Sequence, residues 1–213
     1  MFSRRTTEMV DPAEALPGRT SPAFALPAVH EVLGTPLVTD DVPDGLEVAI
    51  FGLGCFWGAE EIYWQVPGVW STSVGYAGGV TPHPTYEEVC TGRTGHTEAV
   101  RIVFDPERVT YADLVKQFFE VHDPTQGMRQ GNDIGTQYRS AIYYTTPEQE
   151  QVARELTKVY GDEIARRGYG DITTEIAPAP AYYYAEPQHQ QYLHKVPHGY
   201  RCHANTGVPF PQH

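Results

Sequence analysis

The stretch that most limits the possible folds is residues 46–68, "LEVAIFGLGCFWGAEEIYWQVPG". Its first eight residues are apolar on both faces apart from Glu47, the signature of a central strand covered on each side. After Cys55 the period changes. Ala59, Ile62, Tyr63 and Val66 recur at i, i+3, i+4 and i+7, one face of a helix, and Pro67-Gly68 stops it. "VWSTSVGYA" (69–77) then reads as a second strand. A strand, a helix and a strand in so few residues leave the helix one place to lie, against one face of the sheet that it connects.

The remaining patterns extend this unit. "EAVRIVFD" (98–105) alternates so that Val100, Ile102 and Phe104 share a side. "TYADLVKQFFEVHD" follows, with Thr110 and Asp113 as a capping box and Tyr111, Leu114, Val115 and Phe118 as the buried stripe. A further helix opens at "TPEQ", with Thr146 as N-cap, Pro147 in the first turn and Gln149 closing a second box. The fold class expected is α/β (α+β): a two-layer sandwich with a mixed sheet on a β-α-β, ferredoxin-like core, long loops and a coiled C-terminal tail. A chain of 213 residues with 40% hydrophobic content fills one sizeable core. Residues 1–45, dotted with Pro12, Pro17, Pro22, Pro27, Pro36 and Pro43, read as an extended arm without chemistry of its own. Residues 46–203 read as the catalytic domain, with a mobile tail from about 181, and 204–213 as the tail end.

Charge and cysteine usage exclude several classes. Lys and Arg number 15 against 27 Asp and Glu, a net charge of −12 that repels polyanions, so neither nucleic acid nor an acidic membrane surface is expected as partner. No apolar run approaches the roughly 20 residues needed to cross a bilayer, and the N-terminal arginine pair has no apolar stretch behind it. The expectation is a cytoplasmic monomer. Cys55, Cys90 and Cys202 are an odd count without C-x-x-C spacing, which argues against a disulfide framework and a zinc site.

Cys55 sits where a strand gives way to a helix, facing unpaired N–H groups that favour thiolate over thiol. Gly54 and Gly58 leave the backbone open around it, and Phe56 and Trp57 can wall an apolar pocket beside it. A nucleophile and a small buried hydrophobe both fit that position. Glu98 shares strand parity with Val100, Ile102 and Phe104, so on a core-facing side it would be a desolvated carboxyl with a raised pKa, as a general acid requires. The alternative is an exposed residue at a strand start. The Gly-, Asn-, Asp- and Gln-rich loop 122–139 supplies Asp133 and Tyr138, and Tyr86 lies upstream. All three are groups that orient a polar oxygen, or else turn and half-buried surface residues. Cys202, among glycine and proline, has the mobility that a resolving thiol needs, while a metal site with His189, His198 or His203 is poorly supported by spacing.

Five blocks in order carry a resemblance: "GCFWG" (54–58), "GYAGG" (75–79), "PTYEEVCTGRTGHTEAVRIVFDP" (84–106), "GNDIGTQYRSAIYY" (131–144) and "HQQYL" (189–193). Together, with "PAEALPGR" (12–19) in the arm, they resemble the peptide methionine sulfoxide reductases of the A class. The resemblance implies reduction of the S epimer of methionine sulfoxide, free or in proteins, with no metal or organic cofactor. It implies Cys55 as the nucleophile that becomes a sulfenic acid, Glu98 as the acid, and Tyr86, Tyr138 and Asp133 as substrate-site groups. Phe56 and Trp57 would wall the substrate methyl. Cys202 would be the resolving cysteine, giving a Cys55–Cys202 disulfide that thioredoxin reduces. "CHANTGVPFPQH" lacks the further cysteine of the longer enterobacterial type, so a two-cysteine cycle is expected, with Cys90, which follows an expected turn at "PTYEEV" (84–89), a spectator. A thiol peroxidase or a non-catalytic redox module would share Cys55. Assays with peroxide against a methyl sulfoxide separate the first, and the acid Glu98 speaks against the second. A cysteine hydrolase would need a histidine base held beside the thiolate.

Overall fold

The computed structural model describes residues 6–202 and 204–212. In chain order its elements are β1 (Glu47–Leu53), α1 (Phe56–Trp64), β2 (Val69–Ala77), α2 (Tyr86–Cys90), β3 (Thr97–Phe104) and α3 (Tyr111–Val121). The hairpin strands β4 (Arg129–Gln130) and β5 (Asp133–Ile134) follow, then a 3-10 turn (Thr136–Tyr138), β6 (Ser140–Tyr144), α4 (Pro147–Arg166), β7 (Glu175–Pro178), β8 (Tyr183–Tyr184) and α5 (Tyr192–Lys195). The six-stranded sheet runs β7-β6-β1-β3-β2-β8. Every neighbouring pair is antiparallel except β6 with β7, so the sheet is mixed. Its central four strands, in the order β6-β1-β3-β2 with α1 and α3 as crossovers, are the expected ferredoxin-like core.

Helices α1, α3 and α4 lay their apolar stripes on one face of this sheet. Phe51, Val100, Ile102 and Phe104 from the strands are buried with Tyr63, Leu114, Phe118, Phe119 and Tyr160 from the helices. Phe51 meets Phe118 with ring centroids 5.2 Å apart, and each such side chain contributes roughly 1.5–3 kcal/mol by leaving water. The capping box at Thr110 is present: its hydroxyl accepts from Asp113 N–H and the Asp113 carboxylate accepts from Thr110 N–H. Thr110→Ala is expected to lower stability by about 1 kcal/mol, seen as a lower urea midpoint at unchanged slope.

Three local readings are corrected by the structure. Thr146 caps α4, but Gln149 does not close a box; its amide instead takes Thr145 N–H and donates to Val48 O at 2.9 Å, tying α4 to β1. "PTYEEV", expected as a turn, instead leads into α2, opened by a capping box of Thr85 and Glu88. The tail segment expected to lack secondary structure contributes α5.

The arm brings a buried side chain to α1. His30 Nδ1 accepts from Val32 and Leu33 N–H, so its Nε2 is the protonated nitrogen and donates to Thr72 Oγ1 at 2.8 Å. Thr72 passes the chain on to Glu60 Oε1, whose carboxyl also accepts the backbone and side-chain N–H groups of Gln191. Burial drives His30 down to about 4 and Glu60 up to about 7. Arm, helix, strand and tail are thereby joined through groups that pay no unsatisfied-polar penalty. Among the described residues, no helix is long and apolar enough to cross a membrane.

Candidate active site

Cys55 is the N-cap of α1, placed by the sharp turn after β1. Gly54 makes that turn with φ +92°, and a Cβ there would stand 2.7 Å from Gln130 Cγ, so glycine is required twice over. The backbone N–H groups of Trp57 and Gly58 reach the sulfur and favour its ionised form, as the sequence implied. They do not prevail. Burial, and after it the nearby Glu98 carboxyl, hold the thiol well above its ordinary range, which corrects the expectation of a resting thiolate. The reason is the balance of solvation: Cys55 is only 9% exposed, and two N–H dipoles do not replace the water lost on burial.

Glu98 is on the core side of β3, in line with Val100, Ile102 and Phe104, and is 1% exposed. Burial pushes its carboxyl up to about 8, with Asp133 adding to the shift and Phe56 N–H opposing it. That N–H donates to Oε2 at 2.9 Å. The proton of the neutral form therefore belongs on Oε1, and at neutral pH the group is mostly a carboxylic acid. Tyr86 and Tyr138 both lie within electrostatic reach of Glu98, and burial raises both phenols, so each remains a protonated donor. Asp133, at the start of β5, raises both Glu98 and Cys55 and receives a hydrogen bond from Tyr200 O–H at 3.1 Å. Cys55, Tyr86, Tyr138 and Asp133, four of the eight residues selected from sequence, thus converge electrostatically on a fifth, Glu98.

The other three are accounted for separately. Phe56 packs with Tyr76, Val74 and Val89, and stacks on Tyr86 at 6.4 Å. Trp57 stacks on Tyr192 at 4.0 Å. Phe56 thus stands beside Tyr86, and neither ring lines the cavity on the tail side of Cys55, nor do Glu98, Tyr86, Tyr138 and Asp133. Cys202 does line it: a space of about 200 Å³ bordered by Cys55, Gly58, Glu61, His122, Gln130 and Cys202. The Cys202 thiol faces Gln130 O at 3.5 Å, and Gly131, at φ +58°, lets the tail cross the loop, since a Cβ there would lie 3.2 Å from the Cys202 sulfur. Cys90 is hydrogen-bonded to Tyr86 and its thiol is pushed up to about 11 by burial and Glu98.

Sequence reading missed the residues that hold this arrangement. His189 Nδ1 accepts from Trp57 Nε1 at 3.2 Å and its ring lies 4.4 Å from Tyr86. Glu186 accepts from Tyr76 O–H at 2.8 Å and from Tyr86 N–H at 2.7 Å, fixing the start of α2. Gln190 bonds both backbone groups of Val74, continuing β2 where β8 stops. The available signal was the run of consecutive polar residues "QHQQ" (188–191) between Pro187 and Tyr192. His122 lines the cavity beside Cys55, yet its ring nitrogens are engaged by Phe118 O and Ser140 Oγ and burial drops it to about 4. With both nitrogens engaged, His122 is not placed as a base for the thiol.

A family model described as "Peptide methionine sulfoxide reductase" matches residues 47–210. The chain belongs to that family. It is similar to the peptide methionine sulfoxide reductase MsrA of Rhodospirillum centenum, 61% identical over 199 residues, which cover 93% of this chain and 90% of that protein. Among solved structures it resembles methionine sulfoxide reductase A of Corynebacterium diphtheriae, with TM-score 0.86, 51% identity, and coverage of 96% and 100% of the two chains. It also resembles Mxr1 from Saccharomyces cerevisiae in reduced form, with TM-score 0.70, 32% identity, and coverage of 75% and 91%. This peptide methionine sulfoxide reductase is accordingly an oxidoreductase acting on methionine sulfoxide.

Proposed function

We propose that the protein reduces the S epimer of methionine sulfoxide, free or within proteins, through a sulfenic acid on Cys55 that Cys202 resolves to a disulfide. The observation that carries this reading is the pairing of a buried, neutral carboxyl with a cysteine at a helix N-terminus. A sulfoxide sulfur yields to a soft nucleophile only when its oxygen is protonated as the sulfur is attacked. Glu98 Oε1 gives that proton, Tyr86 and Tyr138 hydrogen-bond the same oxygen, and Asp133 lies beside them. Phe56 and Trp57 receive the methyl group.

The proton balance follows from the resting thiol. As Cys55 attacks, its S–H proton passes to Glu98 while Glu98 protonates the oxygen, so the carboxyl ends as it began. The sulfoxide leaves as the sulfide, reduced by two electrons, and Cys55 becomes S–OH. With Glu98 neutral, the second cause of the raised thiol pKa is absent, and the Trp57 and Gly58 N–H groups face the developing anion.

Recycling through thioredoxin suits the two-cysteine cycle. Mxr1, the yeast relative, has been crystallised in complex with Trx2. Repair of oxidised proteins in the cytoplasm by a monomer completes the reading, with Cys90 outside the cycle. Cys202→Ser is expected to complete about one turnover with thioredoxin and then stall, measured as methionine formed per enzyme. The reading as a whole is tested with the separated R and S epimers of a methyl sulfoxide and dithiothreitol. Reduction of S alone supports it, and reduction of neither, or of R, overturns it.

A further inference from the structure

Three consecutive tail residues grip three different parts of the site. Tyr200 holds Asp133, Cys202 faces Gln130 O, and between them Arg201 sets Nε and Nη2 on the two oxygens of Glu61, both at 2.6 Å. Its remaining nitrogen, Nη1, closes on Pro197 O at 2.8 Å and Gly199 O at 3.2 Å. One guanidinium therefore shapes the turn that leads into Cys202 and fastens that turn to α1, the helix that Cys55 caps. Glu61, Arg201 and both cysteines border the same cavity.

The pair is partly exposed, at 29% and 23%, so its contribution to stability is small. What a bidentate fork supplies is direction, because two parallel N–H···O bonds fix both distance and angle as a lysine's single ammonium does not. Direction is what the resolving step demands. The Cys202 sulfur must attack Cys55–S–OH: the S–S bond forms, the S–O bond breaks, and the hydroxyl departs as water with the proton of the Cys202 thiol.

We propose that the Arg201–Glu61 fork is a positioning latch for this step, holding the tail so that Cys202 stays at the cavity lined by Cys55. It rests on the reading of Cys55 and Cys202 given above. Neither Glu61 nor Arg201 is among the groups assigned above to the sulfoxide oxygen or its methyl group, so the latch governs resolution and leaves sulfoxide reduction untouched.

The test is a quenched single turnover of the full chain with limiting methionine S-sulfoxide, scoring methionine and the Cys55–Cys202 disulfide by mass, with dimedone to trap sulfenic acid. In Arg201→Ala and in Glu61→Gln, methionine formation is expected to stay within about twofold of the original protein, while disulfide formation slows by on the order of 100-fold and the dimedone adduct accumulates. The charge-exchanged double variant, Glu61→Arg with Arg201→Glu, should recover part of the rate. Unchanged disulfide formation, an equal fall in methionine formation, or no recovery in the double variant overturns the latch. A second arm oxidises the reduced cysteines with diamide, which needs no sulfoxide chemistry. Slower Cys55–Cys202 cross-linking in the single variants supports the latch there too, and equal rates count against it. Absence of methionine from the unaltered protein would instead strike at the proposed function and leave the diamide result to judge the latch.

Discussion

Cys55→Ser is expected to yield no detectable methionine from methionine sulfoxide, even with excess dithiothreitol. Serine nearly matches cysteine in size, and the site is small and buried, so the fold should survive. The loss is chemical. A two-electron reduction of the sulfoxide needs an atom that can take the oxygen and two oxidising equivalents, and sulfur does so by becoming S–OH. A serine oxygen has no corresponding stable product. The hydroxyl is also a harder and far less acidic nucleophile, and the Trp57 and Gly58 N–H groups that assist the sulfur cannot ionise it at neutral pH. Intact mass and peptide mapping of each protein after exposure to sulfoxide without reductant are the check: a Cys55–Cys202 disulfide in the original chain and no change in the variant. Methionine formed by the variant at a tenth of the original rate or more would remove Cys55 from the chemistry.

Glu98→Gln is the second large effect. The amide oxygen can still accept from Phe56 N–H, so the start of α1 keeps its partner. What disappears is the transferable proton. General acid catalysis contributes roughly 10²- to 10⁴-fold; with Tyr86 and Tyr138 still protonated, a loss near the lower end, about 100-fold in the single-turnover rate, is expected. Binding should change little, because both side chains fill the same space. Quenched-flow measurement of methionine against sulfoxide concentration separates the two, and a loss confined to affinity would assign Glu98 to binding.

The core was legible because its residues obey simple periods. The alternation of Val100, Ile102 and Phe104 placed Glu98 on the core side, and the helical spacing of Ala59 and Tyr63 placed Cys55 at a helix start, although Ile62 of the same stripe is only half-buried and borders the cavity. The state of the sulfur was not legible. Helix N-termini favour a thiolate, but the degree of burial that opposes this arises from chain segments distant in sequence. Likewise His30, Glu60, Thr72 and Gln191 are unremarkable singly and meet only when arm, helix, strand and tail come together. Glu186 and His189 belong to the same kind: nothing in the local pattern of the tail shows that one fixes Tyr86 and the other Trp57.

The pairing of Cys55 with a protonated Glu98 is most directly tested by the pH dependence of single-turnover methionine formation, with dithiothreitol as reductant, in the original chain and in Glu98→Gln. Glu98 keeps its proton below about 8 and loses it above, where its charge also raises the neighbouring thiol further. The rate of the original chain should therefore fall as pH rises through about 8, and that fall should be missing from the variant, whose rate stays flat or climbs as the thiol ionises. A flat original profile across that range, or the same descending limb in both proteins, would contradict the pairing.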